Sequence, residues 1–151
     1  MSVSSRKPIP PLSLVFGYGP ACLILLIGVG GWVLPPIEAR LAVAAGWLFS
    51  TAILLFLAGV TRGLSFFSPG GPRPAQIAMM LWLFLLGFGA LSSPLWIGFS
   101  LLILGYGTIA VYDPQAAKVG LAPEHFARLR PVQMGIIILG LVLLTGRSLH
   151  I

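Results

Sequence analysis

Leu12 to Leu34 is a run of 23 residues without a charged side chain, and about 20 apolar residues suffice to carry a helix across the hydrocarbon core of a bilayer. Such a segment must satisfy its backbone amides internally, which leaves helix as the solution. The pattern then recurs. Residues 41–60, 75–91, 95–112 and 132–146 are further apolar stretches, separated by short intervals that hold nearly all the charge. The sequence therefore predicts an all-α membrane protein, a bundle of five transmembrane helices forming one domain over residues 1–151. Residues 1–11, with Arg6, Lys7, Pro8, Pro10 and Pro11, read as a basic, helix-averse lead. A cleaved signal peptide would have a shorter apolar core, so the first run is expected to stay as an anchor.

Composition agrees with lipid as the solvent: 8% of residues are charged and mean hydropathy is +1.03, where soluble chains carry about a quarter charged residues. The net charge of +6 does not point to nucleic acid, because the positive side chains stand singly in the gaps between apolar runs, as orientation signals do. Cys22 is the only cysteine. Neither a disulfide framework nor a cysteine metal cluster is expected.

The intervals set the threading. Pro35-Pro36 ends the first span, since proline lacks the amide proton and disfavours helix in the residue before it, and a short turn with Glu38 and Arg40 is expected to follow. Residues 63–74 read as a loop from their Gly and Pro content. Ser92-Ser93-Pro94 leaves room only for a tight turn, so the third and fourth spans form a helical hairpin. The long polar interval is Asp113 to Pro131. Asp113-Pro114 has the form of a helix start, with Gly120 as a stop, and Pro123 as a second start. The interval reads as an interfacial helical elbow in which Phe126 and Leu129 face the membrane while Arg128 and Arg130 face a partner or anionic headgroups.

With five spans the ends lie on opposite sides. One side collects Arg6, Lys7, Arg62, Arg73, Lys118, Arg128 and Arg130, and the other only Arg40 and Arg147. Seven against two places the N-terminus and the elbow in the cytoplasm, or the matrix of an organelle, and the C-terminus outside. Trp32, Trp47 and Trp96 are then expected at the outer interface, with Trp82 and Tyr112 at the inner one.

The second span ending in residues 56–63 (FLAGVTRG), the Gly105-Tyr106-Gly107 step before Asp113, and residues 123–130 with Leu129-Arg130 before the last helix resemble a family of small multi-span bacterial inner-membrane proteins of unassigned function, similar to mitochondrial transmembrane protein 69. The resemblance implies a multi-span inner-membrane protein and no particular reaction. The chain departs from the family at Thr61-Arg62, where a His-Trp pair is common, and at residues 124–126, where an aromatic pair is common.

Candidate chemistry is sparse. Ala42, Gly46 and Ser50 recur at four-residue spacing and place small side chains on one helix face, a surface for close helix packing. Gly105 and Gly107 are read the same way: their triplet resembles a potassium filter but lacks the preceding Thr-Val and a pore loop. Tyr18 and Tyr106 are expected to make polar contacts between helices. Both histidines, His125 and His150, fall outside the apolar runs, which excludes a bis-histidine haem within the bundle. No acidic or histidine side chain falls within a span as drawn, so no proton relay is expected. Glu38 and Asp113 fall on opposite sides and cannot form a catalytic carboxylate pair. Arg62 reads as a snorkelling helix-end arginine. No cofactor, metal or nucleic acid is expected. The sequence leaves two function classes, a non-catalytic accessory or assembly subunit of a larger membrane complex, and a small transporter acting as an oligomer. Enzymatic lipid or quinone chemistry comes a distant third. The expected partners are membrane lipid and other membrane-protein subunits.

Overall fold

A computed structural model describes residues 8–150. Five helices account for most of them: α1 (Pro11–Val33), α2 (Pro36–Ser65), α3 (Pro74–Leu91), α4 (Leu95–Lys118) and α5 (Phe126–Ser148). All five are long and apolar enough to cross a membrane, and the chain is an all-α, multi-pass membrane bundle. Proline opens α1, α2 and α3 at the first helical position, where its missing amide proton costs no hydrogen bond and its fixed φ suits the helix. The basic lead lies mostly outside the described residues.

The helix boundaries differ from the sequence expectation in three places. The second helix starts at Pro36 rather than residue 41, because Pro35 alone breaks the chain and Glu38 sits in the first turn, where a carboxylate meets the positive end of the helix dipole. The same helix continues past Val60 to Ser65. There the Arg62 guanidinium donates to the Ser65 hydroxyl at 2.9 Å and lies 4.2 Å over the Phe66 ring. The third difference removes the elbow as a separate element. Asp113-Pro114 does not start a helix: α4 runs through both residues to Lys118. It ends at Gly120 in the left-handed region, φ +75°, with Leu121 N–H donating to the Ala116 carbonyl at 2.8 Å and Gly120 N–H to Ala117 at 3.3 Å. This is a Schellman stop, which a glycine allows because it has no Cβ. Likewise α5 starts at Phe126, not Val132, and passes through Pro131. Continuing both helices keeps Ala116 and Leu129 buried and places Asp113 beside Arg130, which offsets the hydrogen bonds the two prolines remove.

The turn between α2 and α3 is built as its composition predicts. Ser68-Pro69-Gly70-Gly71 closes with Gly71 N–H on the Ser68 carbonyl at 2.9 Å, and Gly70 takes φ +81°.

In cross-section the helices form a closed ring in chain order, with α5 returning against α1. α2 is the central member and also touches α4 and α5. Tyr106, Phe99, Leu54, Leu83, Ile137 and Leu144 are among the fully buried side chains at its centre. Neighbours run antiparallel except α1 and α5, which an odd-numbered ring makes parallel. These two meet backbone to backbone. A Cβ on Gly28 would lie 2.7 Å from the Gly140 carbonyl oxygen, and one on Gly140 would lie 2.8 Å from the Ile24 carbonyl oxygen. Gly17 packs on Leu129 in the same register, since 129 − 17 and 140 − 28 are both 112.

The two ends of the bundle are unlike. One carries Arg62, Arg73, Lys118, Arg128 and Arg130, and is called the basic end below; the other carries Glu38, Arg40 and Arg147. At the second end the bundle is stepped. Trp47 Nε1 donates to the Ala90 carbonyl, next to the α3–α4 turn, at 3.2 Å. Trp47 is eleven residues into α2 (47 − 36), so the start of α2 rises about 16 Å beyond the hairpin. The ends of α1 and α5 rise with it: Arg147 Nε donates to the Gly31 carbonyl at 2.7 Å and Trp32 Nε1 to Leu143 at 2.9 Å. Trp82 is not at the inner interface. It lies eight residues into the 18-residue α3 and donates to the Thr108 hydroxyl at 3.3 Å.

Candidate functional site

α4 and α5 meet at the basic end around one ion pair. Asp113 lies five residues before the last residue of α4, and Arg130 four residues after the first of α5. Each is therefore about 6–8 Å inside its helix end, at 1.5 Å per residue. Their side chains are buried, 13% and 8% exposed, with Arg130 Nε 2.9 Å from Asp113 Oδ2. Opposite charges this close attract one another strongly where water is largely excluded. Arg130 Nη1 donates to Gln133 Oε1 at 3.0 Å, and the guanidinium lies 4.4 Å over the Phe126 ring. Arginine suits this position because its flat, weakly hydrated cation accepts an ion pair, a hydrogen bond and an aromatic face together.

Around the pair the polar groups engage one another. The Gln76 side-chain oxygen accepts from the Ser68 hydroxyl at 3.0 Å and from the Arg73 backbone N–H at 3.1 Å, which joins the α2–α3 loop to the start of α3. Gln76, Ser68 and Thr61 are buried. A small void of about 10 Å³ touches Thr61, Gln76, Tyr112 and Asp113. The Tyr112 hydroxyl is buried with no partner among the described residues.

The structure separates the residues that sequence had grouped for docking. Leu129 is 3% exposed and packs on Gly17 of α1, so it is a core side chain and not an interfacial anchor. Arg130 is committed to Asp113 within the bundle and is not displayed to a partner. Arg128 is exposed, and Phe126 is half-buried beneath the Arg130 guanidinium. The reason is periodicity. In one continuous helix residues 126, 129, 130 and 133 share a face, whereas the expected elbow placed 128 and 130 together.

The packing residues also divide. Gly46 is buried against Leu144 and Ile27, and Gly105 against Leu54. Ser50 is fully buried, and its carbonyl, rather than its hydroxyl, accepts from Tyr106 at 2.6 Å. Its own Oγ has no partner among the described residues. Ala42 is half-buried. Gly107 has open space where a Cβ would stand and is not a close-packing position. Tyr18 is half-buried, and the inter-helix tyrosine contact is made by Tyr106. Both Gly-Tyr-Gly triplets lie within helices, α1 and α4, and neither forms a loop.

Sequence reasoning missed the Asp113–Arg130 pair, and with it the fact that two ionisable groups lie inside spanning helices. The signal was present as two prolines, Pro114 and Pro131, each adjacent to one of the charged partners. It missed Gly28 and Gly140 as well. Outside the helices, His125 at the start of α5 is held below its usual value by burial and by the cations Arg130 and Arg128. Glu38 and Asp113 are at opposite ends of the bundle. Among the described residues no group of three His, Cys, Asp or Glu side chains converges in the manner of a metal site. Comparison of the chain with family models, with curated proteins and with solved structures yields no match.

Proposed function

We propose that the protein is a non-catalytic accessory or assembly subunit of a larger membrane complex, seated in the bacterial inner membrane with its N-terminus cytoplasmic, in keeping with the family resemblance noted above. One observation carries the reading: four polar side chains each tie one helix of the bundle to another. Arg130 joins α5 to α4 through Asp113, Tyr106 joins α4 to α2, Trp47 joins α2 to α3, and Arg147 joins α5 to α1. A carrier aims such groups at its cargo. A scaffold uses them to fix its own shape, and a fixed apolar surface is what a neighbouring subunit recognises. The charge asymmetry supports the orientation.

The second reading, a small transporter acting as an oligomer, draws on the Asp113–Arg130 pair, since ionisable residues within spanning segments frequently mark substrate or ion paths. Purification in mild detergent separates the two. A partner retained in fixed stoichiometry through two orthogonal purification steps is the result expected of a subunit. Solute or ion flux into liposomes that hold the purified protein alone, abolished in Asp113→Asn, would overturn that reading in favour of transport.

A further inference from the structure

The small void beside the ion pair lies where three helices and a connection come together. Thr61 of α2, Gln76 of α3, Tyr112 and Asp113 of α4, and Leu121 and Ala122 of the α4–α5 connection border its volume of about 10 Å³. That volume is what one water molecule occupies. A void of this size stays dry when its walls are apolar and takes a water when two to four polar groups surround it. Here four border it. Because one molecule fills the space, any two of them lie within reach of that same molecule.

What each group still has to offer follows from the bonds it already makes. The Tyr112 hydroxyl is buried without a partner among the described residues, a donor whose lost hydration nothing offsets. The Gln76 side-chain oxygen accepts from the Ser68 hydroxyl and the Arg73 backbone N–H, so its amide N–H groups are what it can give. The Thr61 hydroxyl donates to the Leu57 carbonyl at 3.1 Å and keeps its lone pairs as acceptors. Paired with Arg130, the Asp113 carboxylate is an acceptor only. Two donors and two acceptors are the complement of a single water, which accepts twice and donates twice. They do not suit a cation: Gln76 can offer only N–H, and Arg130, with its Nε 2.9 Å from Asp113 Oδ2, already supplies the positive charge.

We infer that this void is a binding site for one water molecule, which accepts from the Tyr112 hydroxyl and the Gln76 amide and donates to the Asp113 carboxylate and the Thr61 hydroxyl oxygen. The water hydrates the buried ion pair and joins the α4–α5 contact at the basic end to α2 and α3. The inference stands apart from the subunit reading and does not rest on it. Two measurements on the full chain in detergent test it. Tyr112→Phe keeps the ring and removes the hydroxyl. It is expected to lower the melting temperature by about 2–4 °C, the effect of one lost hydrogen bond in a chain of this length. In a dry void the same change would relieve an unpaired buried group, so an unchanged or raised melting temperature overturns the inference. A map at a resolution that shows ordered waters is expected to hold one peak within about 3.2 Å of both Tyr112 Oη and an oxygen of Asp113. A map without that peak overturns the inference however the variant behaves. Thermal stabilisation by sodium chloride that choline chloride at equal strength does not give, and that Asp113→Asn abolishes, overturns it in favour of a cation site.

Discussion

Arg130 meets three neighbours at once, the carboxylate of Asp113, the amide of Gln133 and the ring of Phe126, and two of these lie on its own helix. The ion pair is thus the link that crosses from α5 to α4. Removing one member leaves the other charged and buried, which costs about 3–5 kcal/mol, whereas removing both leaves no orphan charge. Asp113→Asn and Arg130→Gln are each expected to lower the melting temperature in detergent, and the double substitution to lower it by less than the sum. Additive losses would show that the two side chains do not act as a pair. His125 gives a pH dependence of opposite origin. Its folded-state affinity for a proton lies below the ordinary value of 6.5, so folding favours the neutral ring. The stability this contributes is complete above about pH 6.5 and declines as pH falls from there toward the depressed folded value, because over that range the unfolded chain binds a proton that the folded chain does not. The decline should be absent in His125→Gln, measured by thermal unfolding between pH 7.5 and 5 at about 0.1 M salt, where charges are screened over about 10 Å. Of the site, Asp113 and Arg130 were visible in the sequence as two separate charges. Their meeting was not, because it depends on how a seventeen-residue separation is folded by the Gly120 stop into two facing helices.

At the scale of the element, the α1–α5 contact has no slack. A methyl group on Gly140 would stand 2.8–2.9 Å from backbone atoms of Ile24 and Leu25, and backbone cannot swing aside as a side chain can. Gly140→Ala must therefore push the parallel helices apart, and little hydrophobic drive exists within lipid to hold them. A loss of several degrees in melting temperature is expected, against no change for Gly135→Ala, where a methyl group meets nothing within 4 Å. Gly46→Ala should fall between, since its contacts are the tips of Leu144 and Ile27. Equal melting temperatures for the Gly140 and Gly135 variants would refute the close crossing. The five helices were legible in advance because lipid forces each apolar run into helix, and the Gly-Pro loop was legible from its turn chemistry. The ends of α2, α4 and α5 were not. Proline and Asp-Pro mark helix ends in water, where a broken chain is solvated, but tertiary partners carried the helices through Pro114 and Pro131. Nor does spacing alone single out Gly28 and Gly140 among nineteen glycines; which of them face a backbone is decided by how helices far apart in sequence align.

For the whole molecule, five crossings put the α4–α5 connection and the C-terminal end on opposite faces. Single cysteines at Lys118 and Ser148, in a Cys22→Ser background, are expected to react with an impermeant maleimide from opposite sides of sealed vesicles. Reaction of both from one side would mean an even number of crossings. The step in the bundle bears on the surrounding membrane itself. α3 is 18 residues long, about 27 Å, while α2 with 30 residues reaches about 45 Å. Lipid beside α3 of the hairpin therefore meets a shorter helix than lipid beside α1, which has 23 residues, and an annulus of uneven thickness must form around the protein. Such mismatch costs a fraction of a kcal/mol per Å, so short-chain lipids should collect along the hairpin and long-chain lipids on the far side. In bilayers of graded acyl length the protein should then be most stable below the thickness that suits its longest helix, and two copies should draw together hairpin to hairpin in thick bilayers, where sharing the thinned patch spares the lipid one deformation.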